Sequence, residues 1–175
     1  MVRFSETVES DAKRFFELAT QKGLEGIVAK RKDSAYRPGQ RTKAWIKIKS
    51  RLKQEAVIGG ITEPTGSRKH FGALMLGVYD RGKLRYVGHT GTGFTHEMLK
   101  DILKRLTPHF TDTCPFEARP KASARVQWVK PKLVCEVAFH EWTSDGMLRA
   151  PSFLGLRDDK SPTEVVRESL VELPK

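Results

Sequence analysis

The sequence predicts an α+β protein that is mainly β: a short mixed segment over residues 1–50, then a small Greek-key barrel over residues 51–175. Three observations carry this expectation. Past residue 50, short apolar runs of strand length alternate with turns rich in Pro, Gly and Asp. Two longer stretches have helical periodicity instead, one before the strand runs and one among them. Composition also changes at Ser50-Arg51-Leu52-Lys53, a polar, basic stretch that reads as a hinge. With 38% hydrophobic and 30% charged residues in 175, the chain has material for a core. No run approaches the roughly 18 apolar residues of a membrane span. The first residues, Met1-Val2-Arg3-Phe4-Ser5-Glu6, lack the pattern of a secretory signal, so the expectation is a cytoplasmic protein with no membrane partner.

Each element has a local reason. Ser10 and Asp11 open a helix whose stripe of Ala12, Phe15, Phe16 and Ala19 is expected to be core, and Gly23 stops it. Residues 24–30 form a strand rich in β-branched side chains. A polar loop containing Pro38-Gly39 leads to Trp45-Ile46-Lys47-Ile48-Lys49, whose alternation puts Trp45, Lys47 and Lys49 on one face of a strand. Strands are expected over residues 55–61, 71–79 and 83–88, the last two joined by the turn Asp80-Arg81-Gly82. Thr95 caps a helix bearing Met98, Ile102, Leu103 and Leu106 on one side, and Pro108 ends it. Residues 126–129 and 133–142 return to strand. Ser161-Pro162-Thr163-Glu164 has the pattern of a capping box and predicts a short helix towards Leu170. Several short strands with one inserted helix match the OB-fold.

The charge is uneven. The chain carries +11, and residues 21–53 hold eleven basic residues against Glu25 and Asp33, a net of +9. This balance favours a polyanionic partner, meaning nucleic acid, nucleotide or anionic lipid, although a basic run can also be a solvated face. Cys114 and Cys135 form no metal-ligand spacing and suit a reducing compartment.

The chemistry concentrates in three places. Glu25-Gly26-Ile27-Val28-Ala29-Lys30 and the Lys47-x-Lys49 strand bring a carboxylate and three ammonium groups onto neighbouring strands, a set suited to a metal-bound phosphate. Downstream stands Arg157-Asp158-Asp159-Lys160. In this order, Glu-Gly-Ile-Val-Ala-Lys, Tyr36-Arg37-Pro38-Gly39 and Trp45-Ile-Lys47-Ile-Lys49 resemble motifs IV and V of the ATP-dependent DNA ligases. Arg157-x-Asp159-Lys160 resembles motif VI of the covalent nucleotidyltransferases. Glu141-Trp142-Thr143 and Pro151-Ser152-Phe153-Leu154-Gly155-Leu156 are similar to the end of the bacterial ligases of non-homologous end joining, the ligase D type.

The resemblance covers nearly the whole chain and implies a remnant of the nucleotidyltransferase domain (residues 1–50) before an OB-fold domain (residues 51–175). It implies ATP and Mg²⁺ or Mn²⁺ as cofactors and duplex DNA with a nick or break as partner. Glu25 would hold the metal. Glu25, Lys30, Lys47 and Lys49 would bind nucleotide, the last two at the α-phosphate, while Arg157 and Lys160 would orient the leaving pyrophosphate. Arg37, Arg41 and Lys53 would meet DNA, although solvated loop arginines account equally for Arg37 and Arg41.

The sequence departs from the family pattern at the nucleophile. No Lys-x-Asp-Gly exists, and the one Asp-Gly, Asp145-Gly146, has Thr143 in the lysine's place. The expectation is the C-terminal part of a longer ligase, inactive alone, with the missing nucleotidyltransferase portion as a possible partner. Two other classes compete. One is a non-catalytic nucleic-acid-binding OB module, which needs only a barrel and a basic surface. The other is a phosphate cradle at Gly91-Thr92-Gly93, which is weaker, since His96 occupies the place of the third glycine and a lone Gly-x-Gly before a helix is more often a turn.

Overall fold

The computed structural model describes residues 11–22, 24, 26–35, 39, 43–64, 69–122 and 124–168. The chain divides into two compact units, Met1–Arg51 and Leu52–Lys175.

The first unit holds one helix and a two-stranded sheet among its described residues. Helix α1 (Ala12–Gln21) is capped by Asp11, whose carboxylate accepts the Arg14 N–H at 3.1 Å. Asp11 is therefore the cap, and Ser10 lies outside the described residues. Strands β1 (Gly26–Lys30) and β2 (Trp45–Lys49) pair antiparallel. The expected α1 core is corrected: Ala19 is buried, but Phe15 is 39% exposed and Phe16 is half-buried. Among the described residues, this helix and its two-stranded ribbon have no second layer to cover them. Leu18, Leu24, Val28, Trp45, Ile46 and Ile48 are exposed in this unit for the same reason.

The second unit is the barrel, and its frame is β3 (Leu52–Thr62). One edge of β3 pairs with β4 (Leu74–Asp80), which turns back into β5 (Lys83–Thr90). Its other edge pairs first with β8 (Val134–Phe139) over residues 52–57 and then with β7 (Val126–Val129) over residues 60–62. Strand β6 (Phe110–Thr111) extends β7, and β9 (Ser152–Arg157) extends β8. The expected hinge over residues 50–53 is corrected in its second half: the two units divide between Arg51 and Leu52, but Leu52 and Lys53 already pair with Phe139 and Ala138. β8 is long enough to draw the start of β3 into the sheet.

The barrel closes where β9 meets the end of β5. The Phe153 N–H donates to Thr92 O at 2.9 Å, and the Thr90 hydroxyl donates to Pro151 O at 2.8 Å. Gly93 makes this approach possible. Its φ is +91°, and a Cβ there would lie 2.2 Å from Phe153 O. The Gly-x-Gly of the sequence therefore serves barrel closure.

Helix α2 (His96–Leu106) starts as its sequence predicts, with the Thr95 hydroxyl accepting the Met98 N–H at 3.2 Å. Its Leu99, Ile102 and Leu106 join a core that includes Ile58, Leu74, Met75, Leu76, Val134 and Val137. Phe94 stacks on Phe153 at 4.7 Å and meets Phe71 edge-on at 5.5 Å. Each such side chain, fully buried, contributes about 1.5–3 kcal/mol, and this is where the stability of the chain resides.

The expected helix after Ser161 is also corrected. The segment makes one 3₁₀ turn, Pro162–Glu164, and the Ser161 hydroxyl bonds the Thr163 hydroxyl instead of capping backbone. Val166 then bridges Tyr79, the Tyr79 N–H donates to Val165 O, and the buried Gln54 amide binds both Val166 O and the Glu168 N–H. These partners hold residues 165–168 extended. Leu170 lies outside the described residues.

Candidate functional site

Strands β1 and β2 assemble the first group of cations. The register sets Lys30 opposite Trp45, Val28 opposite Lys47 and Gly26 opposite Lys49. Directly opposed residues share a face, so Lys30, Trp45, Lys47 and Lys49 project to the same side of the ribbon. The Lys30 ammonium lies 4.4 Å from the centre of the Trp45 ring, a cation–π contact. Gly26 is required by the pairing itself: its φ is +140°, and a Cβ would lie 2.1 Å from Ile48 O. Three of the sequence-predicted residues, Glu25, Arg37 and Arg41, lie outside the described residues. Among the described residues no three His, Cys, Asp or Glu side chains gather in a way that would hold a metal ion.

The second group is built by the barrel. β9 delivers Arg157 at its last position, and the chain then turns through Asp158 and Asp159 to Lys160. Arg157 donates twice to Asp159, Nε to Oδ1 and Nη2 to Oδ2, both at 2.8 Å. Its Nη1 lies 3.2 Å from Glu55 Oε1 and 3.7 Å from Glu136 Oε1. The other oxygen of Glu55 takes Lys160 Nζ at 3.1 Å. One carboxylate therefore holds both cations. Lys53, the sequence candidate for DNA contact, pairs with Glu136 at 3.2 Å.

Glu55 and Glu136 face each other directly across β3 and β8. Two like charges in that position repel unless cations lie between them. Here Arg157, Lys160 and Lys53 supply those cations, balancing Glu55, Glu136 and Asp159 charge for charge. The Glu55 side chain is only 13% exposed, so its field is screened less than that of a surface pair. The two hydrogen bonds from Arg157 bring the Asp159 carboxyl down to about 2, and Asp159 in turn holds the guanidinium well above its ordinary value. The hydrogen bond to Glu55 raises the Lys160 ammonium likewise. Both cations are charged throughout the neutral range and aimed before any anion arrives, an arrangement suited to neutralising phosphate oxygens.

Sequence reasoning missed Glu55 and Glu136, and also Arg105, which pairs with Asp158. In the sequence, Glu55 is the last of three consecutive polar residues, Lys53-Gln54-Glu55, before an apolar run. The available signal was that polar run, set at the head of an otherwise apolar strand. The Asp145-Gly146 pair forms a tight turn, with the Thr143 hydroxyl accepting the Met147 N–H at 3.0 Å.

Comparison with known proteins bears on both groups. A family profile described as the ATP-dependent DNA ligase domain matches residues 2–49, and one described as the ATP-dependent DNA ligase C-terminal region matches residues 67–160. The chain is 44% identical over 172 residues to the multifunctional non-homologous end joining protein LigD of Pseudomonas aeruginosa, covering 95% of this chain and 20% of that protein. It is 48% identical over 161 residues to the protein of the same name in Mycolicibacterium smegmatis, covering 90% and 21%. A solved mycobacterial DNA ligase D, complexed with ATP and MES, superposes with a TM-score of 0.63 at 41% identity, covering 90% of this chain and 52% of that one. The chain thus spans about a fifth of the length of these two relatives. The C-terminal-region match alone takes in more than half of the chain and runs through β9 to Lys160, and on that ground the chain belongs to the ATP-dependent DNA ligases.

Proposed function

We propose that this chain forms the C-terminal part of a ligase that seals breaks in duplex DNA during end-joining repair in the bacterial cytoplasm, with the nucleoid. In this reading residues 1–50 are the end of a nucleotidyltransferase domain and residues 51–175 are its OB-fold domain. The observation that carries it is the presentation of Arg157 and Lys160 together on Glu55, at the end of a barrel strand.

The reaction has three displacements. A lysine Nζ attacks the α-phosphorus of ATP and pyrophosphate leaves. The 5′-phosphate of the break then takes AMP from that lysine. Finally the 3′-hydroxyl attacks the activated phosphate, the phosphodiester forms and AMP departs. Phosphoryl transfer of this kind is mostly positioning and charge neutralisation. Lys47 and Lys49 would neutralise the α-phosphate and adenylate, with Lys30 beside them. Arg157 and Lys160 would draw off the pyrophosphate charge in the first step, and Lys53, Arg37 and Arg41 would meet DNA phosphates. Glu25 would hold Mg²⁺ or Mn²⁺, whose charge would help neutralise the phosphate oxygens. The sequence holds no Lys-x-Asp-Gly, so the first displacement needs a nucleophile from another portion of the enzyme.

The test is adenylation with α-labelled ATP. The chain alone should acquire no covalent label. Fused behind a complete nucleotidyltransferase portion it should support nick sealing, and Arg157→Ala or Lys160→Ala should slow adenylation at least about tenfold, or 1.4 kcal/mol of barrier. Sealing of a pre-adenylated nick should suffer far less. A chain that binds DNA and whose fusion gives neither activity would be the non-catalytic OB module instead.

A further inference from the structure

We propose that the barrel carries a pyrophosphate cleft larger than motif VI, in which Arg105, His109 and Lys132 join Arg157 and Lys160. The proposal rests on the reading of Arg157 and Lys160 as pyrophosphate-contacting cations and adds three residues outside every motif of the sequence.

The cleft has a volume of about 310 Å³ and is walled by three separate parts of the chain. Arg105 comes from the last turn of α2, and His109 from the 3₁₀ turn that follows it. Lys132 comes from the connection between β7 and β8, while Arg157, Asp158 and Lys160 come from the end of β9 onwards. Backbone contacts fix these walls. The Lys130 N–H donates to His109 O at 2.8 Å, and Phe110 pairs with Val129, tying the end of α2 to β7. Arg105 pairs with Asp158, tying α2 to the segment after β9.

The charge balance of the lining is four permanent cations, Arg105, Lys132, Arg157 and Lys160, against the one carboxylate of Asp158. Asp158 is engaged by Arg105, Asp159 takes two hydrogen bonds from Arg157, and Glu55 engages Arg157 and Lys160 from behind. Lys132 is exposed and makes no ion pair among the described residues. Cations converging from three walls suit a compact anion with several charges. A phosphodiester backbone carries one charge per phosphate and is met by an extended stripe. Pyrophosphate has the required density: it can take the Lys132 ammonium directly and compete with Asp158 and Asp159 for the guanidinium donors of Arg105 and Arg157.

The experiment is calorimetric titration of the full 175-residue chain with inorganic pyrophosphate at low salt, alongside titration with a nicked duplex. Arg105→Gln and Lys132→Ala should each weaken pyrophosphate binding about threefold, the size of an exposed ionic contact. They should change duplex affinity less than twofold, and Lys100→Ala on the outer face of α2 should change neither. Lys132 is exposed, so its variant remains informative if Arg105→Gln unfolds. Loss of pyrophosphate binding only in Arg157→Ala and Lys160→Ala would overturn the enlarged cleft and leave the motif VI reading standing. Loss of duplex binding with pyrophosphate binding intact would assign the cleft to DNA phosphates and overturn the proposal. No pyrophosphate binding, with adenylation by the fusion still dependent on Arg157, would likewise refute the cleft alone. If that dependence were also missing, the motif VI reading would fall with it.

Discussion

Replacing Gln54 with Leu keeps the side-chain bulk and deletes an amide that is wholly buried in β3. Its Nε2 donates to Glu55 O at 2.7 Å and to Val166 O at 2.9 Å, and its Oε1 accepts the Glu168 N–H at 3.0 Å. A net contribution of about 1 kcal/mol for each bond gives about 3 kcal/mol if the partners stay buried. The segment over residues 165–168 can instead leave the barrel and become hydrated. That exposes Val165, now 1% exposed, and costs about 1.5–3 kcal/mol of burial. Both routes lead to a loss of about 2–3 kcal/mol, or roughly 8–12 °C in Tm for a unit of this size. Thermal unfolding followed by circular dichroism measures the loss, and hydrogen exchange locates it. The amides of Glu168 and Tyr79, which bond Gln54 and Val165 respectively, should lose protection ahead of the β4–β5 hairpin. A change below about 0.5 kcal/mol, with Glu168 still protected, would refute the assignment of Gln54 as the clasp of this segment.

Other consequences are accessible to simple measurements. Gly93→Ala places a Cβ against Phe153 O at a φ of +91° and should lower stability by about 1–3 kcal/mol in urea titrations, and an unchanged midpoint would contradict the account of barrel closure. The Asp159 carboxyl should titrate near 2 by NMR, so its pairing with Arg157 favours the fold above the ordinary carboxyl value of 3.8 and is lost as pH falls towards 2; a midpoint at 3.8 would mean that the pair is absent in solution. Burial pushes the Cys135 thiol up to about 12, so at pH 8 a disulfide reagent should modify half-buried Cys114 first, and equal rates would show that the core opens readily. Binding to a nicked duplex should weaken with salt at about −0.9 per phosphate contact on a log–log scale, and salt-independent affinity would exclude a phosphate-directed surface.

What could be read before folding was local. The period-two alternation that puts Lys47 and Lys49 on one face, the β4–β5 hairpin and the Thr95 cap of α2 all depend on residues two to four apart. Backbone geometry alone translates such spacings into structure. The motif residues could be named for a related reason, since each motif is a short contiguous run. β9 escaped because Gly155 and the following turn weaken its strand pattern, and it is a strand through its pairing with β8. The helix stripe of Phe15 and Phe16 failed as a core prediction because amphipathicity states which face needs cover, not whether a second layer exists. Tertiary structure alone decided the charge cluster. Glu55 and Arg157 are 102 residues apart, and their meeting follows from the register of β3 on β8 and of β8 on β9. A slip of one residue in either pairing would put Glu55 and Arg157 on opposite faces, because strand side chains alternate and only the register selects which of them share a face.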